Sequence, residues 1–211
     1  MLKVWGRRSA FNVQKVLWLI DELGLPHEHV PAGGSFGGID QPDFLALNPH
    51  GRVPVIQDVD ATVVWESHSI LRYLAATYGA AQGDGVLWPA DAAGRSQRDR
   101  WMDWSLSRLQ PALIDGIFMP LCRTPEAQRD PALIARSIAQ CAASFQVLDA
   151  VLQTRDYLEA DRLTLADIPA GTCLYRYFEL DIPRPPLPNV MAWYRRLQAR
   201  PAYRDHVMIA F

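Results

Sequence analysis

Two short runs hold residues able to do chemistry. Glu66-Ser67 stands where a strand-like run, Thr62-Val63-Val64-Trp65, meets a helical one. Backbone N–H groups and the Ser67 hydroxyl would there point beyond a helix N-terminus, a place that binds carboxylate well. The plainer alternative has Ser67 capping its own helix. Pro54 sits inside an otherwise good strand, Val53-Pro54-Val55-Ile56, where it removes a ladder donor. A cis Val53–Pro54 bond would leave the N–H and C=O of Val53 to pair with an extended peptide added as a strand. A trans proline on an edge strand is the commoner solution, since only about 5–6% of X–Pro bonds in folded proteins are cis.

Other chemistries lack their residues. The three cysteines, Cys122, Cys141 and Cys173, are far apart, so there is no CxxC pair, disulfide framework or zinc ribbon, and no thiol lies in the first 121 residues. The five histidines, His27, His29, His50, His68 and His206, show no metal-ligand spacing. Gly33 to Gly38 is glycine-rich but lacks the Lys-Ser/Thr of a phosphate loop. Over 211 residues, Lys+Arg 21 against Asp+Glu 23 gives a net charge of −2, which favours neither nucleic acid nor an acidic membrane as partner. No apolar run approaches the ~20 residues that span a bilayer. The N-terminus has no signal-peptide pattern. The expected location is the cytoplasm.

The elements that would hold these residues change character near residue 80. Leu2 to Trp5 is a short buried strand. Asn12 to Leu23 carries Val13, Val16, Leu17 and Ile20 at helical spacing and stops at Gly24. His27 to Pro31 returns as a strand, completing a β-α-β unit. A short helix from Pro42 to Leu47 precedes a hairpin of Val53–Ile56 and Thr62–Trp65, and Ser67 starts a helix with Ile70, Leu71, Leu74 and Tyr78 on one face. The order is β-α-β-α-β-β-α. Residues 81–91 have linker composition, and everything from 92 to 211 is helical in pattern. Arg95 to Ile114 is expected as one helix kinked at Pro111, and Asp130 to Leu152 as a second. Thr164-Leu165-Ala166-Asp167 has the spacing of a capping arrangement for a helix running to Leu180. Asn189 opens another helix, and Pro201 a last short one. The expected domains are therefore 1–80, α/β, and 92–211, all α.

Taken together, the β-α-β-α-β-β-α order, Asn48-Pro49-His50-Gly51-Arg52-Val53-Pro54, Glu66-Ser67 and the helical half with Thr164 to Asp167 resemble the cytosolic glutathione transferases over essentially the whole chain. The opening Trp5 to Val16 looks most like the bacterial members related to the theta and phi classes. The resemblance implies a thioredoxin-like N-terminal domain, an all-α bundle and glutathione as co-substrate, with no metal. It implies that Val53, before a cis Pro54, pairs through its backbone with the central cysteine of glutathione. Glu66 and Ser67 would hold the γ-glutamyl ammonium and carboxylate. A basic residue is expected near the glycine carboxylate, and Arg52 matches that position better than His50.

Catalysis in this family means stabilising the glutathione thiolate, the species that attacks. Relatives with Ser-x-Asn-Val carry the catalytic hydroxyl two residues before Asn, where this chain has Ala10. Ser9, Asn12 or backbone amides are left as candidate donors. Trp101, Trp104, Ser105 and Arg108 share the helix that in the family faces the electrophile, together with the C-terminal tail ending at Phe211; aromatics at that spacing also suit a core. The resemblance further implies a homodimer. The expected reaction is attack of glutathione thiolate on a small hydrophobic electrophile. Two alternatives stand beside it: glutathione-dependent peroxide or disulfide reduction, and a non-catalytic adaptor that reuses the fold.

Overall fold

Alternating burial makes Leu2–Trp5 a strand, β1, with Leu2 and Val4 inward. It pairs in parallel with β2 (His27–Val30) and antiparallel with β3 (Val55–Gln57), which forms a hairpin with β4 (Val63–Trp65). The sheet order is β2-β1-β3-β4. Between β1 and β2 runs α1 (Phe11–Glu22), closed by Gly24 at φ 63° with the Leu25 N–H donating to the Ile20 carbonyl at 3.0 Å. A short α2 (Pro42–Leu47) precedes β3, and α3 (Ser67–Tyr78) follows β4.

The computed structural model describes residues 1–79 and 85–211. They divide into two units, residues 1–90 with 200–211 and residues 91–199. Of the expected linker 81–91, residues 81–84 lie outside the described residues, and 85–90 belong to the first unit. Residues 200–211, expected in the helical domain 92–211, belong instead to the first. The reason is α9 (Pro201–His206), which packs on α1. Tyr203 is fully buried with its ring 4.8 Å from that of Trp18, and Arg200 donates to Glu22 at 2.7 and 2.6 Å. His206 meets Asp21 at 2.5 Å.

With α3 and α9 both packed on it, α1 is buried from Val13 to Ile20 on every face. The hairpin turn is tied to α3 through Asp58, which accepts hydrogen bonds from the hydroxyls of Tyr73 and Tyr78, each at 2.6 Å, and from the Val59 N–H. Burial opposes ionisation of Asp58, but these three donors together outweigh it and hold the carboxyl below its ordinary range.

The second unit is all helical. Its first helical run extends from 92 to 122, longer than the Arg95 to Ile114 helix expected: α4 (Ala92–Trp104), π-helical turns at Ser105–Leu109 and Pro111–Phe118, then α5 (Met119–Cys122). The expected kink at Pro111 is replaced by these wider turns. They accommodate a ring that has no N–H and that would crowd the preceding carbonyls in an α-helix. Gly116 lets this run approach α6 (Pro131–Val151) closely, since a Cβ there would lie 2.1 Å from the Ser137 hydroxyl. Phe145 of α6 stacks on Tyr177 of α7 (Asp167–Glu179) at 4.1 Å, and α8 (Pro188–Gln198) closes the core with Val190, Trp193 and Leu197.

Candidate functional site

The site is assembled where β1 ends. Gly6 has φ 150°, and a Cβ there would meet the Val13 side chain at 2.4 Å and Val53 Cβ at 3.3 Å. The absent side chain thus lets the end of β1 lie directly against α1 and the Val53 turn. His29 hydrogen-bonds the Gly6 carbonyl at 2.6 Å and fixes the same corner; burial lowers its pKa.

From Gly6 the chain turns into α1, the Ala10 N–H donating to the Arg7 carbonyl at 3.0 Å. Ala10 occupies the N-cap position with extended backbone, and no side chain caps the helix. The N–H groups of the first turn have no acceptor within the helix, so a ligand atom in front of them gains hydrogen bonds and the favourable end of the dipole. Ser9 lies in the turn before the cap, half-buried, and Asn12 lies in the first helical turn, also half-buried.

Behind Asn12 the interior is polar. Lys15 is completely buried, and its Nζ donates to Asn12 Oδ1 at 2.9 Å and lies 3.4 Å from His68 Nε2 and 4.6 Å above the Phe11 ring. His68 is buried and held neutral, its pKa driven to about 2 by desolvation first and then by the Lys15 and Arg72 charges. Neither Lys15 nor His68 was singled out by periodicity as functional. The signal was present: Val13-Gln14-Lys15-Val16-Leu17-Trp18-Leu19-Ile20 is apolar on more than one face, so its polar members must be buried with it.

The turn before β3 is held by Asn48, whose Nδ2 donates to the Arg52 carbonyl at 2.8 Å while its Oδ1 accepts from the His50 N–H at 3.1 Å. The Val53–Pro54 bond is cis. The ladder begins at Val55, so Pro54 does not interrupt a strand and the Val53 backbone precedes the pairing. The Val53 side chain packs against the cluster of Ala32, Phe44 and Val55, as does that of Trp65. Arg52 and His50 are exposed beside it, and His50 stands edge-on to Trp65 at 5.2 Å.

At the start of α3, Ser67 does not cap the helix. It is the first helical residue, 97% buried by its 3% exposure, while Glu66 takes the cap position without a side-chain cap bond. Glu66 has φ 68°, a conformation that costs a non-glycine residue on the order of 1–3 kcal/mol and is typical of ligand clamps. Glu66 is exposed, with Ser67 and His68 buried next to it. Val53-Pro54, Glu66-Ser67 and the α1 N-terminus all belong to the first unit.

The residues expected on the electrophile side belong to different surroundings. Trp104 and Arg108 line a cavity of about 640 Å³ in the second unit, between the long helical run and α6, together with Ala112, Ser137, Ser144 and Val147. Ser105 is fully buried and is not among the residues that line it. Phe211 belongs to the first unit, half-buried. Among the described residues no group of three His, Cys, Asp or Glu side chains is placed to hold a metal ion, and no helix is long and apolar enough to cross a membrane.

Comparison with known proteins follows the same division. Residues 11–77 match the glutathione S-transferase N-terminal domain and residues 109–201 the glutathione S-transferase C-terminal domain. The chain is 41% identical over 210 residues to glutathione S-transferase GstB of Escherichia coli K12, covering 99% of each, and 34% identical to glutathione S-transferase 3 of Zea mays, covering 98% of this chain and 93% of that one. Its fold superposes with a TM-score of 0.90 on the theta-class glutathione S-transferase of Xanthomonas axonopodis pv. citri with glutathione bound, at 45% identity and covering 99% and 98% of the two chains. The chain belongs to the glutathione S-transferase family.

Proposed function

We propose that the protein binds glutathione in its first unit and directs the bound thiolate at a small hydrophobic electrophile. The observation that carries this reading is the pair of long helices, α1 and α3, that begin without a capping side chain next to Val53-Pro54. Glutathione offers matching groups: a peptide backbone for Val53, a γ-glutamyl ammonium and carboxylate for Glu66 and Ser67, and a glycine carboxylate for Arg52 or His50. The cysteinyl sulfur falls to the start of α1, where Asn12, Ser9 and the first-turn amides are the candidate donors. There a thiolate is favoured over a thiol, the thiol proton passes to solvent, and the thiolate forms a C–S bond as the electrophile's leaving group, halide in a halonitrobenzene, departs with its bonding pair.

Trp104 and Arg108 of the second unit, and Phe211 of the C-terminal tail, are the residues proposed for the electrophile. As a family member the protein is proposed to act as a homodimer in the cytoplasm. Peroxide and disulfide reduction use the same thiolate and differ only in the electrophile. Retention on immobilised glutathione, followed by turnover with a halonitrobenzene and with an organic hydroperoxide, tests the reading. Retention with halonitrobenzene turnover is expected. Hydroperoxide turnover alone would favour the reductase, and retention with neither activity the adaptor.

A further inference from the structure

We infer that Lys15 is a positioning residue for thiolate formation: from inside α1 it fixes the Asn12 side chain with oxygen inward, so that the amide NH2 is the group presented to the glutathione sulfur. The inference rests on the proposed glutathione site.

An asparagine side chain in front of a thiolate is useful in one of its two orientations, since a thiolate accepts hydrogen bonds and the amide oxygen would repel it. The two orientations differ by a flip that costs little unless a partner decides it. Here the partner is an ammonium, which has three N–H donors and no acceptor. The 2.9 Å contact between Lys15 Nζ and Asn12 must therefore engage Oδ1. The two branches of a primary amide diverge from one carbon, so an oxygen held inward leaves Nδ2 as the remaining polar atom of a half-buried side chain at the open end of the helix. The positive charge behind Oδ1 also polarises the amide and strengthens its N–H groups as donors.

A second contact shows what holds Lys15 itself. Its Nζ lies 3.4 Å from His68 Nε2. Because Nζ only donates, Nε2 is the accepting nitrogen and the ring proton resides on Nδ1. The neutral state of His68 agrees with this arrangement. His68 directly follows Ser67, so a single buried ammonium spans the first turns of α1 and α3. The other charged and titratable groups around α1 are Arg72 of α3, Arg7 and Arg8 in the preceding loop, and the pairs Asp21–His206 and Glu22–Arg200 with α9 at its opposite end.

The test is titration of the thiolate absorbance of the glutathione complex in the unaltered protein, Lys15→Met, Asn12→Ala and the double variant. Lys15→Met should raise the apparent pKa of the bound thiol by about one unit, a tenfold loss of thiolate at fixed pH, with the glutathione dissociation constant changed less than about threefold. In the Asn12→Ala background the same substitution should shift the titration no further. A Lys15→Met complex that binds glutathione and titrates like the unaltered one overturns the inference, as do two shifts that simply add. Should Lys15→Met not fold, the unaltered protein labelled with 15N-asparagine decides. The Asn12 side-chain NH2 resonances should move with glutathione and not with S-methylglutathione, and equal movement with both overturns the inference. Failure of the underlying site reading is distinct: the unaltered protein would then leave the thiol of glutathione titrating as it does free in solution.

Discussion

Most long helices of the second unit begin differently from those of the first. In the second unit three of the long helices, α4, α6 and α8, have first-turn N–H groups satisfied by a carboxylate of the protein. Asp91 accepts from Gly94 at 2.7 Å to start α4, and Asp130 accepts from Ala132 and Leu133 at 2.9 and 3.1 Å to start α6. Asp149 reaches from α6 to the N–H groups of Asn189 and Val190, both at 2.8 Å, at α8. At α7 no side chain caps the helix, and Asp167, its first residue, accepts instead from the N–H groups of Leu158 and Thr164 in the segment before it, each at 2.9 Å. In the first unit, α1 and α3 begin with Ala10 and Glu66, and neither has a side-chain cap. The same dipole thus serves stability in one unit, and in the other it is left open to an anion from outside the chain.

The largest effect is expected at Asp167, whose carboxylate serves the protein's own backbone just before a helix. Asp167→Ala leaves two buried N–H groups without an acceptor, and at about 1–3 kcal/mol each the loss of stability should reach about 2–6 kcal/mol, read as a fall in thermal or denaturant midpoint. Asp167 also carries a sign. Burial raises its pKa to about 6, against the hydrogen bonds that lower it. The native state therefore holds this proton more tightly than the unfolded one, and its contribution is complete below about pH 4 and lost as pH rises through about 6. Asp167→Asn should remove that slope from the stability profile; an unchanged slope would mean that the carboxyl is ionised throughout.

A smaller effect, on binding and not on folding, is expected at the open end of α3. Ser67→Ala removes a neutral donor to a charged group, worth about 1.5–3 kcal/mol, and calorimetry should find glutathione bound roughly ten- to a hundredfold more weakly. The thermal midpoint without ligand should move far less than in Asp167→Ala. Unaltered affinity would mean that the γ-glutamyl carboxylate lies elsewhere. The smallest change is expected at a cap with no ligand in reach: Asp130→Ala should cost about 0.5–2 kcal/mol of stability and leave glutathione affinity untouched. A loss of affinity there would show that the two kinds of helix start are not independent.

Much of the first unit was legible because its signals are local. Gly24 ended α1 as expected, the hairpin formed around Asp58 to Ala61, and the Glu66-Ser67 junction fell at the start of α3. Other features depend on tertiary packing. Periodicity placed Val13, Val16, Leu17 and Ile20 on a single buried face, whereas α3 and α9 enclose α1 and bury Gln14 and Lys15 as well. Pro111 was legible as a disturbance, but the sequence pattern alone did not show that wide turns would absorb it. The burial of Ser105 was hidden for a related reason: helical spacing put it beside Trp104 and Arg108, whereas its side chain is fully buried.

The packing of α9 on α1 has a consequence for the order in which the unit is completed during synthesis. Trp18, Asp21 and Glu22 leave the ribosome early, but the side chains that cover them, Tyr203, His206 and Arg200, are added only after the whole of the second unit. Residue 206 is the 127th residue added after residue 79, which at about 5–20 residues per second takes roughly 6–25 s. For that interval the sheet and α1 are present with one flank uncovered, so the first unit to emerge is the last to be finished.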